Sequence, residues 1–349
     1  MTPNAQTPTD WKVFGGTRPL AGLPLPPWRK SGEITQPEHF DPQRQERDKH
    51  KVLPFLPDDQ MTWAVNAALY LRRPLLLTGK PGSGKSTLIY KVAHDLQMGP
   101  VLRWDITSRS TVRSGVYEYD AVGRLQKGQG GFEPPIEDYL TLGPLGTALL
   151  GTTWPRALLI DEIDKGDLDL ANDLLNVIEE GVYEIPELRR LGEKPRQIRD
   201  GFGRDTMIAQ GRIECRQFPF VVMTSNAERE FPPPFLRRCV RLTIQPPKNV
   251  SRLAEIVRSH LAGYLNADDQ SLLDTLVHTV APDTQTTEAA PPLRALMNTY
   301  LEESQTSELA TDQLLNAVFL TIGMDDGAQR TFSEGELKSL RLMLLEKLG

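Results

Sequence analysis

Cysteine is nearly missing from this chain: Cys215 and Cys239 are the only two among 349 residues. They form no CxxC pair, and none of the five histidines stands at metal-ligand spacing from them. A disulfide framework and a cysteine–histidine metal site are thereby excluded, and two reduced thiols are expected, as in a cytosolic protein. No apolar run approaches the ~20 residues that a membrane span requires. The polar, proline-rich N-terminal stretch also has no apolar signal-peptide core. Together these absences point to the cytoplasm and away from a membrane. A basic surplus is missing too. With a formal net charge of −6 and no recognisable DNA-binding module, nucleic acid is disfavoured as a partner.

What is there suits a globular chain with a real core. Hydrophobic residues make up 39% and charged residues 25%, and the length accommodates two domains. Residues 1–57 hold ten of the 28 prolines, including the stretch LPLPPW, and read as an extended arm. Trp11, Phe14, Trp28 and Phe40 are large for a purely solvated tail. They leave open an arm that wraps the domain or a neighbouring subunit. Regular structure is expected from Asp58, with Asp58 or Asp59 as N-cap of an amphipathic helix. Short apolar stretches at 74–78, 101–106, 156–161, 220–225 and 240–244 read as buried strands. Helical patterns at 85–96 and 167–180 lie between them; in the second, Leu170, Leu174, Val177 and Ile178 share a face. Strands alternating with helices predict an α/β fold with a parallel sheet covered on both sides. Two long connections, 107–155 and 181–219, interrupt the alternation, and lengths like these are usually functional or disordered. After residue 247 the chain reads as helical to the end, a small all-α domain over 248–349 whose final segment begins with a capping box, Ser333 and Glu336.

The chemistry begins at LLLTGKPGSGKST. Residues Gly79-Lys80-Pro81-Gly82-Ser83-Gly84-Lys85-Ser86 match GxxxxGK[ST] completely, with an apolar strand before them and an amphipathic helix after. Gly79, Pro81, Gly82, Ser83, Gly84, Lys85, Ser86 and Thr87 are the expected nucleotide-binding residues. Backbone N–H groups and the helix N-terminus would face the phosphates. Lys85 would reach the β- and γ-oxygens, and Ser86 would ligate Mg²⁺. In ALLIDEIDK, four apolar residues deliver Asp161 and Glu162 at the C-terminal end of a strand, where open α/β sheets bind ligands. Asp161 would hold Mg²⁺, and Glu162 would act as general base on water. Asp164-Lys165-Gly166-Asp167 imitates a guanine-reading motif but starts with Asp, so GTP specificity is rejected. Asn226, just past another buried strand, is placed to orient the lytic water. Arg237 and Arg238 are candidates for an arginine acting on a neighbouring subunit's site, and spacing does not choose between them. Arg294, on the first turn of a C-terminal helix, is a candidate γ-phosphate sensor.

These pieces, in this order, resemble the AAA+ ATPases and specifically the MoxR family, over roughly residues 58–345. TGKPGSGKS is similar to that family's Walker A, LLIDEIDK to its Walker B, MTSN to its sensor 1, FLRRC to its arginine-finger segment and PPLRAL to its sensor 2. GPLGTALL (143–150) is similar to the segment leading into Walker B. In the finger segment Arg238 takes the finger position, and Cys239 stands where the family usually has an aromatic. The resemblance implies an AAA+ P-loop NTPase sheet over 58–247 followed by a helical lid over 248–349. It also implies a homo-hexameric ring that uses ATP and Mg²⁺ to remodel a protein client, often one with a von Willebrand factor A domain. The two long connections fall where the family carries insertions around helix 2 and before sensor 1. By resemblance YEYDAVGRLQ (117–126) belongs to the first, and RIECRQF (212–218) ends the second. The same residues admit three other activities. They are a nucleic-acid-stimulated motor, a small-molecule kinase, for which no acceptor site is evident, and a nucleotide-switched scaffold with negligible turnover.

Overall fold

The computed structural model describes residues 11–21, 23–27, 29, 52, 55–81, 83–128, 134–245, 255, 256 and 259. Apart from residues 255, 256 and 259, the expected helical lid lies outside the described residues, as do Arg294, Gly82, Trp28 and Phe40. In chain order the elements are α1 (Asp59–Leu71), β1 (Leu75–Thr78), α2 (Lys85–Asp95), β2 (Leu102–Asp105), α3 (Val112–Val116), β3 (Tyr117–Tyr119), α4 (Ala121–Lys127), β4 (Leu140–Leu142), α5 (Pro144–Ala148) and β5 (Ala157–Asp161). They continue with α6 (Leu168–Glu180), β6 (Val182–Glu184), α7 (Pro186–Arg189), β7 (Arg196–Arg199), β8 (Asp205–Ile208), β9 (Arg212–Glu214), β10 (Phe220–Ser225), α8 (Pro233–Leu236) and β11 (Val240–Thr243). The chain divides into two compact units. One comprises 1–49, 57–78 and 86–243; the other comprises 50–56, 79–85 and 244–349.

The first unit is built on a five-stranded sheet in the order β11-β1-β10-β5-β2, parallel throughout. Its inner strands β5 and β10 are buried at every residue, so both faces are covered and the sequence is a continuous apolar run. The border strands β2 and β11 alternate between more and less buried positions, the two-residue period of a half-covered strand. Among the described residues, no helix is long and apolar enough to cross a membrane.

Helix α1 starts where the Asp58 carboxylate accepts the Met61 N–H at 2.7 Å and stops at Arg72, in the left-handed region. Helix α6 starts at Asp167 and ends at Gly181 (φ 67°). A Cβ at Gly181 would lie 2.4 Å from the Cys215 sulfur, so only glycine fits this stop. The buried face of α6 is Leu170, Ala171, Leu174, Leu175 and Ile178. Leu175 is buried and Val177 half-buried, a small rotation of the stripe expected from the sequence. Cys215 and Cys239 are free and buried, and burial pushes each thiol up to about 12.

Residues of the arm pack on the first unit. Asn66, fully buried, accepts the N–H groups of Val13 (2.7 Å) and Phe14 (3.1 Å). It donates to the carbonyls of Phe14 (2.9 Å) and Thr62 (2.8 Å). All four hydrogen-bonding positions of the amide are used, and Tyr70 adds a bond from its hydroxyl to the Trp11 carbonyl at 2.6 Å.

The two long connections meet. Strands β3 and β4 from the first and β7 and β8 from the second form one sheet, β3-β4-β7-β8. The pair β4–β7 is parallel, and β3–β4 and β7–β8 are antiparallel. Strands β6 and β9 form a separate antiparallel ribbon.

Candidate nucleotide site

The glycine-rich loop belongs to the second unit and is curled on itself. The Lys85 ammonium donates to the carbonyls of Gly79 (2.7 Å) and Lys80 (2.8 Å). Gly79 (φ 152°) has no room for a side chain, since a Cβ there would meet the Ile244 carbonyl oxygen at 2.6 Å. Gly84 (φ 82°) also occupies the region that L side chains avoid. The Ser83 hydroxyl oxygen is buried without a hydrogen-bond partner. A curled backbone, a lysine turned inward and an orphaned buried hydroxyl form a polar loop suited to phosphate oxygens.

In the first unit, a cluster of carboxylates and hydroxyls lies at the C-terminal edge of the parallel sheet. Asp161 ends β5 and is buried. Its Oδ1 accepts from the Ser86 hydroxyl at 2.9 Å and from the Thr224 hydroxyl at 2.5 Å. Its Oδ2 pairs with Arg103 Nη2 at 3.0 Å. The strand register produces these contacts. Met223 of β10 is level with Ile160, so Thr224 comes beside Asp161, while Asp105 of β2 lies level with it on the other side. Arg103, two residues earlier on β2, shares that face of the sheet. The Thr224 hydroxyl both donates to Asp161 and accepts the Glu162 N–H at 2.9 Å, its one proton and one lone pair each used.

That bond fixes Glu162 in a left-handed turn (φ 58°, ψ 49°), a conformation costing a non-glycine residue on the order of 1 kcal/mol or more. The turn carries its side chain out of the strand line, where it pairs with Lys165 at 2.7 Å. That hydrogen bond raises the Lys165 ammonium above its ordinary range. Asp164, in the stretch that imitates a guanine-reading motif, is a buried strut. Its Oδ2 accepts the N–H groups of Asn226 (3.0 Å) and Glu228 (3.2 Å), which holds the loop after β10 against the end of β5. Beside these residues lies an open cleft of about 700 Å³, lined in part by Arg103, Glu162, Asp164, Lys165 and Arg229.

Ser86, Asp161, Glu162 and Asn226 therefore gather at one edge of the sheet. Arg238 does not join them. It precedes β11, and since all five strands are parallel it lies at the opposite, N-terminal edge. There its guanidinium bonds Asn176 Oδ1 at 3.1 Å and approaches Glu179 at 3.6 Å. Arg237 contributes a carbonyl, which accepts from Arg73 at 3.3 Å. Two site residues escaped the sequence reading. Thr224 carried a signal, a hydroxyl inside an apolar run, but its partner is visible only once β10 and β5 are neighbours. Arg103 is a charge in the middle of a strand, and the same adjacency is needed to place it.

A parallel sheet in which β1 leads into GxxxxGKS and a helix, and the aspartate strand β5 lies two places away with β10 between them, defines the P-loop NTPase fold. Within that class, residues 74–239 match the family model of the AAA domain (dynein-related subfamily). No curated protein matches the sequence. Solved structures similar to it include NtrX from Brucella abortus in complex with ATP, at 17% identity and TM-score 0.42, covering 87% of this chain and 62% of that one. Hsp104 with ATPγS and casein is similar at 18% identity and TM-score 0.38, covering 80% and 48%. PCH-2 from C. elegans matches at 16% and TM-score 0.38, covering 89% and 70%. The chain thus spans less than two thirds of the NtrX and Hsp104 chains. These likenesses are distant, and the fold assignment rests on the family match and on the sheet itself.

Proposed function

We propose that this chain is an ATP-hydrolysing remodelling ATPase of the MoxR-like kind, working on a protein client as a homo-hexameric ring. The observation that carries the reading is the chain Ser86–Asp161–Thr224–Glu162. It sets a hydroxyl–carboxylate pair suited to a metal beside the Glu162 carboxylate, which Lys165 holds at 2.7 Å, at the C-terminal edge of the sheet. The donor set suits Mg²⁺: two hard oxygens, Ser86 Oγ and Asp161 Oδ1, lie 2.9 Å apart. Among the described residues no cluster of three or more His, Cys, Asp or Glu side chains competes for a metal. Mg²⁺ favours this sparse protein shell completed by water and phosphate oxygens. When bound, the ion supplies positive charge to the β- and γ-oxygens.

The chain's own residues do the rest. Loop amides and Lys85 grip the phosphates, with Gly79, Pro81, Gly82, Ser83, Gly84, Ser86 and Thr87 shaping the loop and the first helical turn. Glu162 leaves Lys165 to take a proton from water, and Asn226 orients that water. Arg294 of the lid senses the γ-phosphate. Arg238 supplies transition-state charge to the next subunit's site. Its place at the N-terminal edge, away from its own Asp161, supports action in trans. A client with a von Willebrand factor A domain is the partner to try first.

Glu162→Gln should bind ATP as the wild type does while its turnover falls ~10²-fold or more, the scale of a lost general base. Lys85→Ala should lose nucleotide affinity itself. Fluorescent-nucleotide titration and phosphate release separate the two outcomes, and wild-type turnover in Glu162→Gln would overturn the assignment.

A further inference from the structure

Arg29, in the arm, has no part in the site just described, yet it is buried, with both terminal nitrogens bonded and only Nε left without a partner. Its Nη1 donates to the carbonyls of Ile178 (3.4 Å) and Glu179 in the last turn of α6. Its Nη2 donates to the carbonyl of Arg72 at the end of α1, at 2.6 Å. The guanidinium lies 4.7 Å from the centroid of the Phe218 ring. Two helix C-termini thus aim carbonyls that no intrahelical N–H satisfies at one cation, the charge their dipoles favour. A planar fork spans both ends at once, which an ammonium would not.

Both of these helix ends also grip the segment 237–238. Arg73, one residue past the Arg29-bound carbonyl of α1, donates to the Arg237 carbonyl at 3.3 Å. Glu179, whose own carbonyl Arg29 holds, meets the Arg238 guanidinium through its side chain at 3.6 Å, and Asn176 one turn earlier bonds it at 3.1 Å. The links close a circuit: Arg29 to α1 and α6, α1 to Arg237, α6 to Arg238.

We propose that Arg29 is a positioning residue for the trans-acting arginine: by tying the ends of α1 and α6 together it sets where Arg238 points toward the neighbouring subunit. The arm thereby governs hydrolysis in a site it does not touch. This rests on the reading of Arg238 as the finger. Displacing a transition-state group by about an ångström costs on the order of a hundredfold, so Arg29→Ala should lower concentration-dependent turnover by about tenfold to a hundredfold. Its nucleotide affinity should not change.

The test uses the full chain and takes Arg238→Ala as reference. Turnover is followed against protein concentration for each variant. Each is then mixed with Glu162→Gln subunits, which hydrolyse nothing but carry intact fingers. A misplaced finger harms the neighbour's site, so Arg29→Ala sites should regain turnover on mixing to the extent that Arg238→Ala sites do. A general structural defect would not be relieved. Wild-type turnover in Arg29→Ala beside a defective Arg238→Ala overturns the proposal and leaves the finger reading standing. So does a deficit that mixing relieves in Arg238→Ala but not in Arg29→Ala. Wild-type turnover in Arg238→Ala overturns the finger reading and this proposal together. If circular dichroism shows Arg29→Ala unfolded, Arg29→Lys replaces it in both comparisons. Lysine keeps a cation at the Phe218 ring but has no fork to hold both helix ends.

Discussion

Among the described residues, the two larger sheets have opposite character. The central sheet is parallel, and its inner strands β5 and β10 are buried at every residue and apolar up to their C-terminal ends. The sheet assembled from the two insertions is mixed in direction. Its strands of three or four residues alternate buried and exposed positions, and polar bridges lace it to its surroundings. Tyr117 on β3 donates to Glu187 at 2.6 Å, which also pairs with Arg113 at 2.6 Å. Arg196 on β7 pairs with Glu137 at 2.7 Å. Burial holds the first sheet, a non-directional force proportional to area. Directional bonds between residues far apart in sequence register the second. The lesson is a division of labour. Asp161 and Thr224 sit on the sheet whose inner strands are buried at every residue, and ion pairs bridge the sheet that alternates buried and exposed positions.

The comparison can be broken most forcefully at a pair of strand positions. Val222 on β10 is fully buried, and Val222→Asp would leave an unpartnered charge in the central sheet. A loss of roughly 4 kcal/mol or more is expected, enough to abolish the cooperative thermal transition. Met207 on β8 is 45% exposed, and Met207→Asp should stay within about 0.5 kcal/mol of the parent in the same denaturation experiment. Comparable losses at both positions would erase the distinction. A finer probe is Thr224→Val, which keeps shape but deprives Asp161 Oδ1 of a donor and the Glu162 N–H of its acceptor. A stability loss of about 1–3 kcal/mol is expected from the buried groups left unpaired. Turnover should fall more steeply than nucleotide affinity. Thr224→Ser should restore most of both.

The smallest effect is a pH dependence confined to the insertion sheet. Burial first, then the hydrogen bond to Glu187 and its charge, raise the Tyr117 phenol well above its ordinary range. The protonated form is favoured in the folded state, so its contribution is complete below the unfolded tyrosine value of about 10 and drains away as pH climbs beyond it. The melting temperature of the wild type should therefore drop more steeply above about pH 10 than that of Tyr117→Phe. Parallel pH profiles of the two proteins would remove Tyr117 from the account. Cys215 and Cys239, raised by burial to about 12, lose their contribution between about pH 9 and 12 in both proteins.

The central sheet was almost wholly legible in the sequence, because uninterrupted apolar runs between glycine, proline and charged stretches leave a buried strand few alternatives. The candidate site residues Lys85, Ser86, Asp161 and Glu162 were legible for the same reason, since they adjoin those runs. What escaped depends on which strands become neighbours. Thr224 and Arg103 acquire partners only through the order β10-β5-β2. Residues 107–155 and 181–219 read as separate excursions, since nothing local tells Thr141 that it will lie opposite Arg199. Asn66 looked like one polar residue in a helix, and its role as anchor for Val13 and Phe14 is a contact across more than fifty residues. Arg29 is one of two adjacent cations, with Lys30, in a proline-rich arm, and no pattern marks it until two helix ends converge.

The shared insertion sheet has a consequence for how such a chain changes over generations. Strand β4 lies between β3 from one insertion and β7 from the other. Deleting 181–219 alone would strip β4 of a partner and expose a raw edge, open to pairing with another copy. Deleting 107–155 would do the same to β7. The two segments, although separated along the gene, are heritable only as a couple: a lineage that sheds one must shed the other or repair the seam.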